Sequence, residues 1–259
     1  MAQQILKTAK CCARHIIERK GIDKMNLYHY TKFSNFGSIW IQKRIKFSEW
    51  TNCNDVFERE KIYNLTLQSK QHNGKECPPV KFKQFVSEVF KEAERYRQVS
   101  FSLDYKDLKG YASPMMWGHY ARDFQRSGVC IELDSSKIKL EPERAKVFNG
   151  RVVYKKELTA THIGGVDAEL EDAAQMFVER NRKQLFFHKH KHWQPENEYR
   201  FISKDCKFLD ISDAITSVYV LGEDNVTLQL VKRIIMDTER ISFLDVGGLK
   251  SLKLNPMNL

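Results

Sequence analysis

Short strand patterns and helical patterns follow one another along the chain without a regular strand–helix–strand rhythm, and this irregular order most constrains the fold. Residues 82–97 repeat apolar side chains at helical spacing, and residues 167–187 and 225–236 are also predicted to be helical. Residues 45–48, 99–103, 128–133 and 198–203 are short runs typical of strands. A doubly wound parallel sheet requires a regular alternation of strand and helix. The sequence therefore predicts an α+β fold, with short-stranded mixed or antiparallel sheets flanked by helices.

The beginning of the chain differs from the rest. Residues 2–20 place apolar side chains close to one helical stripe among basic residues, and Gly21 follows where a helix would end. We predict an amphipathic helix within residues 1–24 and a single α+β domain over residues 25–259. The helix is either an arm that binds a partner or nucleic acid, or an ordinary helix lying on the domain.

The charge balance favours anionic partners. Lys and Arg number 43 against 33 Asp and Glu, which leaves a formal net charge of +10. An excess of this kind suits nucleic acid or nucleotides, although solubility alone accounts for it equally well.

Cysteine usage and hydropathy indicate the compartment. The six cysteines form no Cys-x-x-Cys pair and show no regular spacing, which argues against a disulfide framework. The N-terminus lacks the apolar core of a signal peptide, and no apolar run reaches membrane-spanning length. We expect a cytoplasmic protein with no membrane partner.

A predicted strand late in the chain carries the strongest candidate site. Successive side chains of a strand point to opposite faces, so Glu196, Glu198 and Arg200 are expected on one face and Tyr199 and Phe201 on the other. Two carboxylates and a guanidinium on one face suit chemistry on a polar or cationic centre. The alternative is a structural ion-pair network.

Histidines just before this strand raise the question of a metal. His188 and His192 are four residues apart, as helical zinc ligands would be. Lys189 and Lys191 would repel a cation, and apart from His190 no further Cys or His is placed nearby as a ligand, so we predict no metal site. A basic stretch that binds phosphate is the better functional interpretation.

Polar side chains also share faces of two earlier predicted strands. His29 and Thr31 lie on one face of the strand at residues 26–31, and Ser100 and Ser102 lie on one face of another. An imidazole can donate to a ribose hydroxyl or act as an acid or base, and the hydroxyls can bind a ribose or orient a carboxylate. Each of these side chains also has an ordinary structural interpretation.

Two further segments leave alternatives open. Trp117 and Tyr120 are three residues apart on a predicted helix and share a face, as a core wedge or as a stacking platform for a planar ring. Residues 54–58 form a polar loop in which Asn54 fits an Asx-turn, whereas the role of Glu58 stays undecided.

Five segments together resemble the bacterial domain-of-unknown-function 2971 family, in the family's order and across residues 25–203. One departure is Val56, where the family's loop usually has proline. Membership of this family does not by itself imply an activity. The segments are Leu27-Tyr28-His29-Tyr30-Thr31, Asn54-Asp55-Val56-Phe57-Glu58, Ser100-Phe101-Ser102, Met116-Trp117-Gly118-His119-Tyr120-Ala121 with Gly128-Val129-Cys130-Ile131, and Lys189 through Arg200.

The arrangement is also similar to the ADP-ribosyltransferase superfamily. Its members carry His or Arg on an early strand, Ser-x-Ser or Tyr on a middle strand, and a catalytic Glu, often in Glu-x-Glu, on a late strand. His29, Ser100 with Ser102, and Glu198 with Glu196 match in order. The resemblance implies an ADP-ribosyltransferase-like fold and NAD as a substrate.

The same resemblance implies a role for each site residue. His29 would hold the NAD ribose, Tyr30 or Tyr120 would stack on nicotinamide, and Glu198 would bind the ribose 2′-hydroxyl. Arg200 would hold the carboxylates or clamp a pyrophosphate. The remaining hydroxyls would complete the cofactor-binding set (Thr31, Ser100 and Ser102).

Three hypotheses follow. The first is an NAD-dependent ADP-ribosyltransferase or NAD glycohydrolase, a toxin or phage-defence effector acting on nucleic acid or protein. The second is a nuclease or phosphotransferase that uses His29, Asp55, Glu198 and Arg200 on nucleic acid. The third is a non-catalytic module that binds a nucleotide or nucleic acid.

Overall fold

The structure is a computed structural model. It describes residues 24–50, 58, 60–62, 79–121, 128–141, 145–156, 169–221, 229, 231, 233–234, 241–244 and 254–255. The predicted helix at residues 2–20, the loop at residues 52–57 and most of the predicted helix at residues 225–236 lie outside these ranges.

Helices occupy the connections between strands. The α-helices are α1 (Phe33–Gln42), α2 (Pro79–Glu94), α3 (Pro114–Met116), α4 (Leu170–Arg180) and α5 (Arg182–Phe187). A π-helical turn, Trp117–Ala121, continues α3, and a 3-10 helix covers Lys191–Glu196. None of the helices among the described residues is long and apolar enough to cross a membrane.

The strands within the described ranges form one large sheet and two small ones. They are β1 (Asn26–Lys32), β2 (Arg44–Lys46), β3 (Ser48–Glu49), β4 (Arg97–Ser102), β5 (Gly128–Asp134), β6 (Lys139–Glu141), β7 (Val147–Arg151), β8 (Val153–Lys155), β9 (His188–His190), β10 (Glu198–Ser203), β11 (Phe208–Asp210), β12 (Ile215–Leu221), β13 (Ile241–Leu244) and β14 (Leu254–Asn255). The large sheet has the order β14-β13-β12-β5-β1-β4-β10-β7, and β3 also pairs with β4. The small sheets are β2-β11-β6 and β8-β9.

Most strand pairs are antiparallel, and the mixture of sheets and helices agrees with the predicted α+β class. Within the described residues, β12 and β13 form a parallel pair, as do β8 and β9. These two parallel pairs belong to different sheets, so the described strands do not form a doubly wound parallel sheet.

Strand alternation gives the large sheet two different faces. One face carries Val99, Phe101, Ile131 and Phe201 and packs against α1 and the β2-β11-β6 sheet. The other face carries two separate apolar clusters. Helices α2, α4 and α5 form the first of these with Ile202, and the second cluster lies over β1 and β5.

Two predicted elements are interrupted in the structure. The helix predicted at residues 167–187 is divided into α4 and α5 at Asn181. This asparagine is fully buried, and its side chain donates to the Phe177 carbonyl at 3.0 Å, a local bond that competes with helix continuation. The strand predicted at residues 45–48 divides into β2 and β3, because Phe47 turns its main chain from one sheet to the other.

Candidate functional site

The candidate site lies at a gap in the strand pairing along one edge of β4. On this edge β1 pairs with β4 at Tyr28–Ser102, and β3 pairs with it at Ser48–Gln98. Among the described strands, none pairs with the residues between these points on that edge. A cavity of about 340 Å³ lies at the gap, between the two apolar clusters of this sheet face.

Glu198 and Arg200 face the cavity from β10, which pairs with the opposite edge of β4. Arg200 donates from Nε to Glu198 Oε2 at 2.8 Å and from Nη2 to Oε1 at 3.0 Å. Both side chains are almost fully buried. The predicted shared face of these two residues, opposite Tyr199 and Phe201, is confirmed by the pairing and by the core.

Glu196 reaches the same group from a different element, which corrects the predicted strand. Residues 191–196 form a 3-10 helix, and Asn197 then adopts a left-handed conformation with φ 45° before the strand begins. The Glu196 carboxylate is fully buried and lies behind the described lining of the cavity. Its Oε1 accepts a hydrogen bond of 2.7 Å from the Tyr120 hydroxyl, which does line the cavity.

Lys189 joins the two glutamates, and sequence reasoning missed this role. Its Nζ donates to Glu198 Oε1 at 3.0 Å and also to Glu196 Oε2. Lys189 is only 2% exposed. The expectation of a phosphate-binding basic stretch is therefore wrong for this lysine, whose charge is already paired.

The histidines on either side of Lys189 do not lie on a helix. His188 and His190 belong to β9, which pairs in parallel with β8, and His192 lies in the following 3-10 helix. The helical four-residue spacing considered from the sequence therefore does not apply. Alternation along β9 sends the Lys189 side chain to the opposite side from its histidine neighbours, a period-2 signal that was available in the sequence.

Glu58 completes the buried network and was left undecided by the sequence. Arg200 donates from Nη2 to Glu58 Oε1 at 2.6 Å and from Nη1 to Oε2 at 3.2 Å. Lys61 Nζ lies 3.9 Å from Glu58 Oε1, one helical turn away. Three carboxylates and three cations thus alternate along and behind the cavity wall (Glu58, Glu196 and Glu198 with Lys61, Lys189 and Arg200).

The two neighbouring glutamates have opposite proton affinities. Burial alone would raise the pKa of Glu198, but the charges of Arg200 and Lys189 outweigh burial and hold this pKa well below its usual range. Burial and repulsion from Glu198 raise the pKa of Glu196 to about 7, against the attraction of Lys189. Glu198 is therefore a fixed anion, whereas Glu196 exchanges a proton near neutral pH.

His29 lines the cavity but points to the other side of β1 from its tyrosine neighbours. Its ring packs at 5.7 Å from the Phe101 ring, and its Nδ1 lies 3.5 Å from the Ser100 carbonyl oxygen. Burial lowers the pKa of His29 to about 4, so the imidazole is neutral at physiological pH. His29 and Glu198 share the cavity wall, without a direct hydrogen bond between them.

The other predicted site residues divide into two groups. Four of them line the cavity, and Thr31 does not. Thr31 is buried in β1, and its hydroxyl lies 3.5 Å from the Lys32 carbonyl oxygen. The four that line the cavity are Tyr30, Ser100, Ser102 and Tyr120.

Two of these side chains are fixed by the surrounding structure. The Tyr30 hydroxyl donates to the Gly110 carbonyl, and its ring meets Trp117 edge-on at 5.1 Å. Ser102 donates to the Glu196 carbonyl oxygen at 2.9 Å, which anchors the turn before β10. Tyr120 is half-buried and combines a ring in the cavity with a hydroxyl bound to Glu196.

Comparison with known proteins connects this region to a family. The model of a family described as a protein of unknown function (DUF2971) matches residues 116–201, which include Tyr120, Lys189 and Glu198. No curated protein matches the chain.

Proposed function

We propose that this protein binds NAD and cleaves its nicotinamide–ribose bond, as an ADP-ribosyltransferase or an NAD glycohydrolase. The observation that carries the proposal is the Glu198 carboxylate, a buried anion that opens on a cavity of about 340 Å³. Cavities of this size hold small molecules. The order of His29, Ser100, Ser102 and Glu198, which resembles the ADP-ribosyltransferase superfamily, supports the same reaction.

The chemistry requires a fixed negative charge. When the bond between ribose C1′ and nicotinamide nitrogen breaks, its electron pair leaves with neutral nicotinamide, and the ribose becomes an oxocarbenium cation. A preorganised carboxylate stabilises such a cation without reorganising during the reaction. Glu198 suits this role because Arg200 and Lys189 keep it ionised and immobile.

Glu198 could also accept a hydrogen bond from a substrate hydroxyl. A carboxylate offers about four lone-pair positions. Arg200 and Lys189 donate three hydrogen bonds to it, two of them to Oε1 and one to Oε2. Oε2, which accepts one of these bonds, is the place for the ribose 2′-hydroxyl, where it would compete with the hydrogen bond between the Glu196 and Glu198 side chains.

Tyr120 and Glu196 provide a route for the proton of the attacking nucleophile. A hydroxyl or water that attacks C1′ would pass its proton to the Tyr120 oxygen, while the Tyr120 proton moves to Glu196 along their 2.7 Å hydrogen bond. Glu196 can accept it because its pKa is raised to about 7, so both of its forms exist near neutral pH. Glu196 thus acts through Tyr120. The net charge of +10 favours nucleic acid as the acceptor.

Nicotinamide release from NAD by the wild type and by Glu198→Gln tests the proposal, with and without DNA or RNA. We expect release by the wild type and a loss of roughly 10²–10³-fold in the variant, as for other electrostatic groups of this kind. Glu92→Gln is the matched control, because Glu92 is also a buried, ion-paired glutamate but lies on α2, outside the described lining of the cavity. Absence of release from folded wild-type protein in every condition would refute the proposal.

One observation favours a second function, a non-catalytic module that binds a nucleotide. The charges behind the cavity pair with one another, as they do in structural networks. For such a module, NAD or ADP-ribose would raise the melting temperature with no nicotinamide released, and Glu198→Gln would leave that stabilisation in place.

A further inference from the structure

The charges along the cavity divide it into two ends. At one end lies Glu198, the acidic residue of the described lining, which forms ion pairs with Lys189 and Arg200. At the other end lie Lys32 and Lys46, both exposed. Within the described part of the chain, neither of these two ammonium groups forms an ion pair with a carboxylate. This end therefore carries positive charge that no described carboxylate neutralises.

Strand geometry places both lysines on the side of the sheet that holds the site. Lys32 is the last residue of β1, two positions after Tyr30, so both side chains share a face. Lys46 ends β2, and Ser48, two residues later, pairs with Gln98 of β4, which lines the cavity. The lysines thus flank the gap between β1 and β3 from its two sides.

The separation of the two ends suits a nucleotide. Neighbouring strands lie about 4.8 Å apart, so the path from β10 across β4 to the gap covers roughly 10 Å. Along β4, Glu198 lies opposite Ser102 and Ser48 lies opposite Gln98, four residues away, which adds roughly 13 Å in that direction. The main chains at the two ends are thus roughly 16 Å apart, and the side chains of Glu198 and the lysines reach into the cavity across part of that distance. A ribose held at Glu198 would therefore place a phosphate group attached to its other end near the lysines. A neutral nucleoside would leave this end of the cavity unoccupied.

We propose that Lys32 and Lys46 form a subsite for the diphosphate of a nucleotide, which makes the cavity selective for phosphorylated substrates. The inference rests on the proposed function in one respect, since it takes Glu198 as the end where the ribose reacts. A small nucleotide fits the cavity volume of about 340 Å³ better than a polymer, whose neighbouring phosphates would have to remain outside.

Calorimetric titration with ADP and with adenosine tests the subsite. Lys32→Gln/Lys46→Gln should weaken ADP binding by about tenfold or more, because two charge-assisted hydrogen bonds are lost, and should leave adenosine binding unchanged. The matched control is Lys91→Gln/Lys139→Gln, which removes the same charge from two exposed lysines outside the described cavity lining. The control should bind ADP within about twofold of the wild type.

Three outcomes would overturn the subsite. They are a wild type that does not bind ADP, a Lys32/Lys46 variant that binds ADP as well as the wild type does, and a variant that loses binding of a single-stranded oligonucleotide while keeping that of ADP. The last outcome would assign the lysines to a nucleic-acid surface. The effect of Lys32→Gln/Lys46→Gln on ADP binding is measured without turnover and does not depend on nicotinamide release, so failure of this inference and failure of NAD cleavage are separate results.

Discussion

Arg200 and Glu58 form a bidentate pair between residues 142 positions apart in the chain. Two parallel hydrogen bonds join the guanidinium to both carboxylate oxygens, at 2.6 and 3.2 Å. Both side chains are at most 1% exposed. Glu58 therefore fixes Arg200 on the side away from the cavity, and Arg200 in turn holds Glu198 at the cavity wall.

Removal of Glu58 should destabilise the fold strongly. Glu58→Ala leaves the buried Arg200 charge without half of its compensation, and breaking a buried pair in this way costs about 3–5 kcal/mol. Urea unfolding measures the loss. Glu141→Ala serves as the control, because its pair with Arg44 is exposed and should contribute at most about 1 kcal/mol. Equal losses in the two variants would contradict the buried pairing.

Ionisation of Glu196 should make the free energy of unfolding depend on pH in a range where Glu198 does not titrate. The folded-state pKa of Glu196 is about 7, above its usual value of 4.5, so its stabilising contribution is full below about 4.5 and is lost as the pH rises through about 7. The pKa of Glu198 is lowered instead, so its contribution is lost only in more acidic solution.

The unfolding free energies of the wild type and Glu196→Gln, measured from pH 5 to pH 8.5, test this sign. The difference between them should move in favour of the variant by on the order of 2 kcal/mol as the pH rises. Taking the difference removes the opposite trend of the half-buried histidines His29 and His188, whose pKa values are lowered to about 4. A difference that stays constant across the range would show that Glu196 remains ionised throughout.

The contribution of Lys189 to stability should be large only while Glu196 and Glu198 are both charged. Lys189→Met leaves Glu196 and Glu198 without their shared cation, with an expected loss of about 3–5 kcal/mol. Adding Glu196→Gln removes one of the two stranded charges and should recover part of the loss. A double-mutant cycle by urea unfolding measures the coupling, and strictly additive losses would contradict a shared ammonium.

Two substitutions of Tyr120 should separate its contribution to NAD binding from its contribution to turnover. Tyr120→Phe keeps the ring in the cavity and removes the hydroxyl that binds Glu196. We expect kcat for NAD to fall by about 10²-fold or more, as for loss of a proton-transfer group, with KM changed by only a few-fold. In Tyr120→Ala the ring is lost as well, and KM should rise too. An unchanged kcat in Tyr120→Phe would exclude the proton route.

Local patterns in the sequence predicted the framework of the site better than its charge pairing. Period-2 alternation was sufficient to place Glu198 and Arg200 on one face, because β10 is regular from its first residue. The same rule failed for Glu196, since Asn197 takes a left-handed conformation that strand periodicity does not include. Similarly, buried Asn181 interrupts a continuous helical pattern by donating from its side chain to the Phe177 carbonyl of the preceding turn.

Long-range pairing lay beyond the sequence. Nothing in residues 54–58 indicates that Glu58 meets Arg200, because a buried ion pair depends on which segments the fold brings together. Lys189 was interpreted as part of a phosphate-binding basic stretch for the same reason, since a lysine is almost never fully buried unless it is paired, and its pairing with Glu196 and Glu198 depends on the fold. His29 and Glu198 were expected to meet and do share a cavity, although His29 approaches it from the opposite side of β1.

The opening beside β4 exists because the pairing of β1 with β4 stops at Tyr28–Ser102, whereas the pairing of β3 with β4 begins at Ser48–Gln98. No single side chain creates it, so substitutions in the lining alter what the cavity accepts without closing it. Main-chain topology supplies the space, and a few exchangeable residues supply the selectivity. Relatives that retain this strand arrangement are therefore free to diverge in ligand while preserving the same architecture, and a shared shape among them is no guarantee of a shared reaction.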